Sequence, residues 1–497
     1  MKIINRRAFV GAMGVAGASM LAGCAPEAKP ADLATTGDAA AEGAEAAAAW
    51  APAEANPEVT PLFPEEFPVI YSDAEVDEIL NSPAVVTENW VYDDGGEIAP
   101  AYQMARNTIN RNGAGFGSYI TKDHQLDLMP YLFSEDEALA YSQMPHYRNF
   151  TAAEFAEASG RAEDECLAIC NALADRALLR RIYDNGTPKF LTLDSEYGYY
   201  EAYIQNFDTE YIGLKDLNAG AGTPFTFLDA KYTMYRTVPV DLSVVVDGDY
   251  TEDDDWHAIL DRHDTFAVSP CMCRVSTLIR EGKAANTQEA MELFGNGMRD
   301  CNHPTETCLV TGKQAEWFIE IGAGRELTRD DAEALLQRSV DEGMILDCLY
   351  TKEAENICSC HADCCLYVGA VRTLNGGPAL ADCSHFELVH KKDDCIKCGM
   401  CEKQCPMLAI TMDDEGYPIV DSACVRCGQC ATVCPQGVRG LKMKPVSEHL
   451  KIPEDLADYY EKKARVRASK GYLFDIESQE AMAARVAEGE AAGLQFS

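Results

Sequence analysis

The sequence predicts an α+β, multidomain chain, and three observations carry that reading. Residues 126–200 pair helix-capping signals with an Asn-Gly turn between short apolar runs. Eighteen of the 21 Cys are crowded between Cys271 and Cys434. Within that stretch one Cys pattern occurs twice, at a fixed offset of 29 residues. The 497 residues leave room for about two to four domains. A composition of 47% hydrophobic and 25% charged residues is globular and excludes a wholly disordered chain. With 42 Lys+Arg against 81 Asp+Glu, the formal net charge of -39 repels a phosphate backbone and argues against nucleic acid as a partner. No internal apolar run is long enough to span a bilayer.

Residues 1–24 begin with Lys2, Arg6 and Arg7 and no acid, continue through the Gly- and Ala-rich apolar run Ala8 to Ala22, and end at Cys24. Arg6-Arg7 before Ala8-Phe9 resembles a twin-arginine export signal. Leu21-Ala22-Gly23-Cys24 resembles a lipoprotein cleavage box, in which the Cys is lipidated and becomes the first residue. The resemblance implies an extracytoplasmic protein anchored to the membrane through Cys24; a simple secretory signal or a short anchor helix is the alternative. Residues 25–60 hold 15 Ala among 36, with no apolar periodicity, and are expected to be a disordered tether. Residues 61–125 are expected to be an irregular extension without chemistry.

Ser134-Glu-Asp-Glu137 and Thr151-Ala-Ala-Glu154 are capping boxes, each opening a helix. A third helix is expected from about Ala162 to Arg181, with Leu167, Cys170, Leu173, Ala174 and Leu178 on one face. Residues 182–187 and 189–193 read as a hairpin around Asn185-Gly186. Together these make a winged-helix-like outline. Glu163, Asp164, Glu165 and Asp175 on the third helix, and the export signal, favour a packing module over DNA recognition. Cys166 and Cys170 read as small core residues. Residues 201–265 form a connecting segment with strand-like stretches, then a helix from about Glu252 to Arg262.

The doubled pattern occupies residues 389–445. Its first copy runs Cys395-Ile-Lys-Cys398-Gly-Met-Cys401-Glu-Lys-Gln-Cys405-Pro406. Its second runs Cys424-Val-Arg-Cys427-Gly-Gln-Cys430-Ala-Thr-Val-Cys434-Pro435. In C-x2-C-x2-C-x3-C-P, three closely spaced thiolates wrap one iron–sulfur cubane and the fourth reaches the other. Cluster I then takes Cys395, Cys398, Cys401 and Cys434; cluster II takes Cys424, Cys427, Cys430 and Cys405. Gly399 and Gly428 let the backbone approach the sulfides. Zinc usually takes two separated C-x2-C pairs, and disulfides close poorly among Cys so crowded. This segment resembles the bacterial two-cluster [4Fe-4S] ferredoxins in every ligand. Twin-arginine export, which as a pathway carries folded, cofactor-loaded proteins, suits such a cargo.

A second set lies upstream in residues 266–388, expected to be a small loop-rich metal-binding domain. It comprises Cys271, Cys273, Cys301, Cys308, Cys358, Cys360, Cys364 and Cys365, with His303 and His361 as further candidate ligands and Cys348 and Cys383 standing apart. Three readings stay open: one or two further Fe–S clusters, structural zinc, or a catalytic thiol or metal centre. Arg274 either neutralises a thiolate-rich site or caps a helix. Residues 446–497 read as a helical arm, with helices over 455–470 and 476–492.

Cys271-Met-Cys273-Arg274, Cys301-Asn-His-Pro304-Thr-Glu306-Thr-Cys308-Leu309 and Ile357-Cys358-Ser-Cys360-His-Ala-Asp-Cys364-Cys365 occur in that order between the winged-helix-like segment and the doubled motif. The order resembles a family of ferredoxins from anaerobic bacteria, over about residues 126–445. The family often carries a further Cys where His361 stands. It implies architecture more than a reaction. The chain carries neither G-x-G-x-x-G after a strand nor G-x-x-x-x-G-K-[ST]. The expected function is therefore exported, membrane-anchored single-electron transfer through two [4Fe-4S] clusters, with no catalytic residue required. The redox partner is expected to be a flavin, molybdenum or quinone oxidoreductase. The alternatives are an oxidoreductase working at the Cys271–Cys365 set, or a redox-sensing binding module.

Overall fold

The computed structural model describes residues 49–61, 68–82, 86, 90–91, 97–111, 125–194, 198–215, 233–293, 304–376, 383–449 and 451–470. Helices and antiparallel sheets are mixed throughout, as an α+β chain requires. No helix of the described residues is long and apolar enough to cross a membrane.

The stretch expected to be irregular contains two helices, Asp73–Asn81 and Pro100–Arg111. The first opens on a reciprocal capping box between Ser72 and Glu75, and Pro100 stands at the first position of the second, where its missing N–H costs nothing. Three further helices, Glu135–Ser142, Ala152–Ser159 and Glu163–Asp175, lead into a hairpin of Leu179–Asp184 and Thr187–Thr192. Asn185 and Gly186 both take positive φ, as a two-residue primed turn requires.

The third helix ends six residues earlier than the sequence suggested. Ala177 turns left-handed at φ 64° and the Leu178 N–H returns to the Leu173 carbonyl, so Arg180 and Arg181 fall in the hairpin. The buried face is also rotated: Cys166, Cys170, Leu173 and Ala174 face the core, while Leu167 is exposed. Arg176, Arg180 and Arg181 pair with Glu137, Glu355 and Asp175 respectively, and Arg181 also reaches Glu320. Arg180 is buried and contacts both Glu355 oxygens, at 2.7 and 2.6 Å, which docks the hairpin on the next layer.

That layer is a six-stranded antiparallel sheet. Its order is Tyr235–Val238, Ile345–Leu349, Asn356–Cys360, Glu306–Thr311, Phe266–Pro270, Arg325–Leu327. The segment read as a connection thus supplies an edge strand, and the region read as loop-rich is built on a sheet. All five residues of Ile345–Leu349 are buried, so no two-residue alternation advertised the strand. Helix Arg329–Asp341 packs through Ala332, Leu335 and Leu336, and helix Gly312–Glu320 through Trp317 and Phe318.

The ferredoxin-type module follows. Strands Phe386–His390 and Arg439–Met443 pair, Ile410–Met412 pairs with Pro418–Val420, and two four-residue helices, Met400–Lys403 and Gln429–Thr432, stand between them. A further correction concerns the tether. Residues 49–60 are strapped to this module: Ala51–Pro52 pairs with Phe386–His390, and the Ala53 and Asn56 N–H groups donate to Leu388 and Val420. Lys391 lies 4.6 Å over the Trp50 ring and Lys392 pairs with Glu54 at 2.6 Å. The C-terminal helix Leu456–Ser469 is capped by Asp455 and packs on Asp73–Asn81 through Arg465–Asp77. The second helix expected in the arm lies outside the described residues.

Candidate metal centres

The eight Cys of the doubled motif sort into two cavities. Cys395, Cys398, Cys401 and Cys434 line one of about 350 Å³. Cys405, Cys424, Cys427 and Cys430 line another of about 310 Å³. Each motif therefore sends its last Cys across to the other cavity. The local backbone explains the wrap. Lys397 and Arg426, at equivalent places in the two loops, take φ 57° and 61°; Gly399 and Gly428 follow at 71° and 88°. Two left-handed residues per loop curl the chain tightly enough to gather three sulfurs. The Ala409 N–H donates to Cys405 Sγ at 3.3 Å.

The two cavities differ in burial. Around the first, Cys398 is exposed and Cys395 and Cys434 are half-buried; around the second, Cys405, Cys427 and Cys430 are all buried. Arg439, on the strand behind them, is 4% exposed. Its guanidinium charge acts on Cys430 of the second set and Cys401 of the first. Burial pushes the Cys405 thiol up to about 12 and the Cys430 thiol up to about 11, with Arg439 opposing the rise at Cys430.

The upstream set converges as well. Cys271, Cys273, Cys308, Cys358, Cys360, Cys364 and Cys365 all line one chamber of about 780 Å³. Cys308, Cys358 and Cys360 stand on neighbouring strands Glu306–Thr311 and Asn356–Cys360; Cys271 and Cys365 cap helices Met272–Arg280 and Leu366–Thr373. Six thiols form a run of hydrogen-bonded neighbours, from Cys271 through Cys273, Cys365, Cys360 and Cys358 to Cys308. Within it, hydrogen bonds from Cys308 and Cys360 hold Cys358 well below the usual thiol range, and those from Cys273 and Cys360 bring Cys365 down to about 6. The Leu366 N–H donates to Cys273 Sγ at 3.3 Å and Asn356 Nδ2 to Cys308 Sγ at 3.0 Å.

Arg274 is buried in the chamber wall. It donates to the Pro304 and Ser359 carbonyls at 2.9 and 3.0 Å and to Thr307, and its charge favours the thiolates of Cys271 and Cys358. It is part of the thiol site and caps no helix. His361 does not line the chamber; its Nδ1 lies 2.7 Å from Asp363. Cys348 and Cys383 are buried in the core away from it, and Cys166 and Cys170 pack in another core. Cys24, Cys301 and His303 lie outside the described residues. Among the described residues, no three His, Cys, Asp or Glu side chains gather closely enough to hold a single ion, in the ferredoxin cavities or in the chamber.

Sequence reasoning missed the rest of the chamber wall: Tyr200, Glu201, Lys215, Tyr235 and Tyr367. Glu201 is buried, accepts the Gly198 N–H at 2.9 Å, and is pushed well above the usual carboxyl range by desolvation. Lys215 lies 5.5 Å over the Tyr200 ring. Glu201, Lys215 and Tyr235 come from the segment read as a connector, which carries no local motif.

Comparison with known proteins bears on the C-terminal module. A 4Fe-4S dicluster domain matches residues 394–438. Over 36 residues, 7% of this chain, the sequence is 50% identical to pyruvate synthase subunit PorD of Pyrococcus abyssi. The chain covers about a third (34%) of that relative's length. No solved structure matches the chain. Residues 394–438 are thus a ferredoxin-type iron–sulfur module, and iron–sulfur electron transfer is the chemistry it supports.

Proposed function

We propose that this chain is an exported, membrane-anchored electron-transfer protein that passes single electrons between two [4Fe-4S] clusters and an oxidoreductase partner of the flavin, molybdenum or quinone type. The observation that carries the reading is the division of eight thiols into two sets of four, with one Cys exchanged between the motifs. The donor set fits the group: soft thiolates, left-handed loops that bring N–H groups to sulfur, and two cavities of similar size. Cys395, Cys398, Cys401 and Cys434 would hold the outer cluster; Cys405, Cys424, Cys427 and Cys430 the inner one. Bound there, each cubane supplies a site that gains or loses one electron.

The protein's own residues set the path and the potential. Cys398 and Ile396, which is 57% exposed, place the outer set at the surface where a partner can dock. Burial of the inner set removes water and leaves Arg439 as the compensating charge between the two. The strap suits an anchored protein. Between Cys24 and Trp50 lie 25 residues. A lipid at Cys24 would tether the module to the bilayer through the strap.

The test is electron paramagnetic resonance of the anaerobically purified protein after chemical reduction. Two reduced cubanes close enough to couple are expected, and Cys398→Ser should change the outer cluster's signal and its coupling to the inner one. A reduced protein with no cluster signal would remove the reading.

A further inference from the structure

We propose that the upstream chamber holds a third iron–sulfur cluster, bound by thiolates drawn from Cys271, Cys273, Cys308, Cys358, Cys360 and Cys365, and that it exchanges electrons with the inner cavity of the ferredoxin module. The second half rests on the function proposed above; the first does not.

The molecule supplies its own standard for size. Each ferredoxin cavity is lined by four Cys, and the chamber, the largest space of these three, is lined by seven. A structural zinc site closes four ligands on one ion at about 2.3 Å and needs no such space. A cluster presents a separate iron to each thiolate, so its ligands stand around a volume, as they do in all three cavities.

The wall is made for an anion. Met272–Arg280 and Leu366–Thr373, helices of nine and eight residues, begin at Cys271 and Cys365, so both positive ends point inward. Arg274 adds a buried charge with its guanidinium held by two carbonyls and Thr307. Two sulfurs already accept N–H bonds, from Leu366 and Asn356, the contacts that tune cluster potential. The ligands come from two helices and two adjacent strands, which fixes them better than loops would.

The chamber also touches the inner cavity. The loop between Cys360 and Cys364 donates the Ala362 N–H to the Pro406 carbonyl at 3.0 Å, and Pro406 follows Cys405. Gln429, between Cys427 and Cys430, donates to the Met344 carbonyl at 2.9 Å, and Met344 Sδ lies 3.7 Å from Arg274. The transfer itself moves one electron from a reduced cluster to an oxidised one; no bond forms or breaks.

Iron, acid-labile sulfide and zinc counted on the anaerobically purified full chain test the site. About twelve irons and twelve sulfides per chain are expected, with no stoichiometric zinc. The Cys358→Ser/Cys365→Ser variant should lose about four irons while the reduced signals of the ferredoxin module persist. About eight irons with or without zinc in the parent, and no loss in the variant, would overturn the third cluster and leave the ferredoxin reading standing. Fewer than about eight irons in the parent would instead remove the ferredoxin reading. Counting on the parent decides the matter even if the variant fails to fold.

Discussion

Arg439 shows how a single residue can govern a centre whose motif never mentions it. Its side chain is buried between the two ferredoxin thiol sets, and nothing in C-x2-C-x2-C-x3-C-P points to a strand residue four positions past the last Cys-Pro. Arg439→Gln removes a positive charge that favours the reduced clusters. At about 8 Å and an effective dielectric of about 20, that charge is worth roughly 2 kcal/mol, so potentials should fall by about 90 mV. Potentiometric titration checks this, and unchanged potentials would contradict it. Asp347 is a second case. It is fully buried, accepts from Thr237 Oγ1 at 2.7 Å, and burial raises its carboxyl to about 7. The folded chain keeps this proton between 3.8 and about 7 while the unfolded chain releases it, so Asp347 favours folding below that window and disfavours it above. Asp347→Asn should therefore raise the thermal midpoint relative to the parent at pH 8 more than at pH 5; equal effects at both would contradict the assignment. The ferredoxin Cys were legible because their spacing is local. Arg439 and Glu201 were not, because what each faces is set by tertiary packing.

At the scale of elements, caps and turns carried the most information. Ser134 to Glu137, Thr151 to Glu154 and Asn185-Gly186 mark elements that the structure places within a residue or two. The errors share a cause. Ile345–Leu349 is buried throughout, and Ala51–Pro52 is an edge strand made by pairing across more than 300 residues, so neither has a period to read. The third helix was carried too far because apolar residues continue past it into the hairpin, where they pack as a strand. The strap gives a prediction at this scale. The Ala53 and Asn56 amides, which donate to Leu388 and Val420 at 2.8 Å each, should exchange with deuterium as slowly as neighbouring sheet amides. Exchange at the rate of a free tail would show that the tether does not hold the module. Trp50→Ala removes the ring under Lys391 and should speed that exchange.

Across the whole molecule the three thiol-lined cavities adjoin in sequence: the chamber beside the six-stranded sheet, the buried inner set next to it, and the outer set at the surface. The third cluster proposed above would use that adjacency to pass an electron by way of the inner set to a partner docked at the outer set. The net charge of -39 belongs elsewhere, since residues 391–445 carry eight Lys+Arg and seven Asp+Glu, 8 - 7 = +1. The acid serves the rest of the surface. Export is tested separately: replacing Arg6-Arg7 by Lys-Lys should strand the protein in the cytoplasm, and unchanged export would remove the twin-arginine assignment. The central claim, that the chain stores and passes single electrons, is tested most directly by stoichiometric reduction of the anaerobically purified protein, followed by reoxidation with a mediator. The account predicts about three electrons taken up and returned per chain, two of them by the ferredoxin module. Uptake of fewer than about two would contradict it.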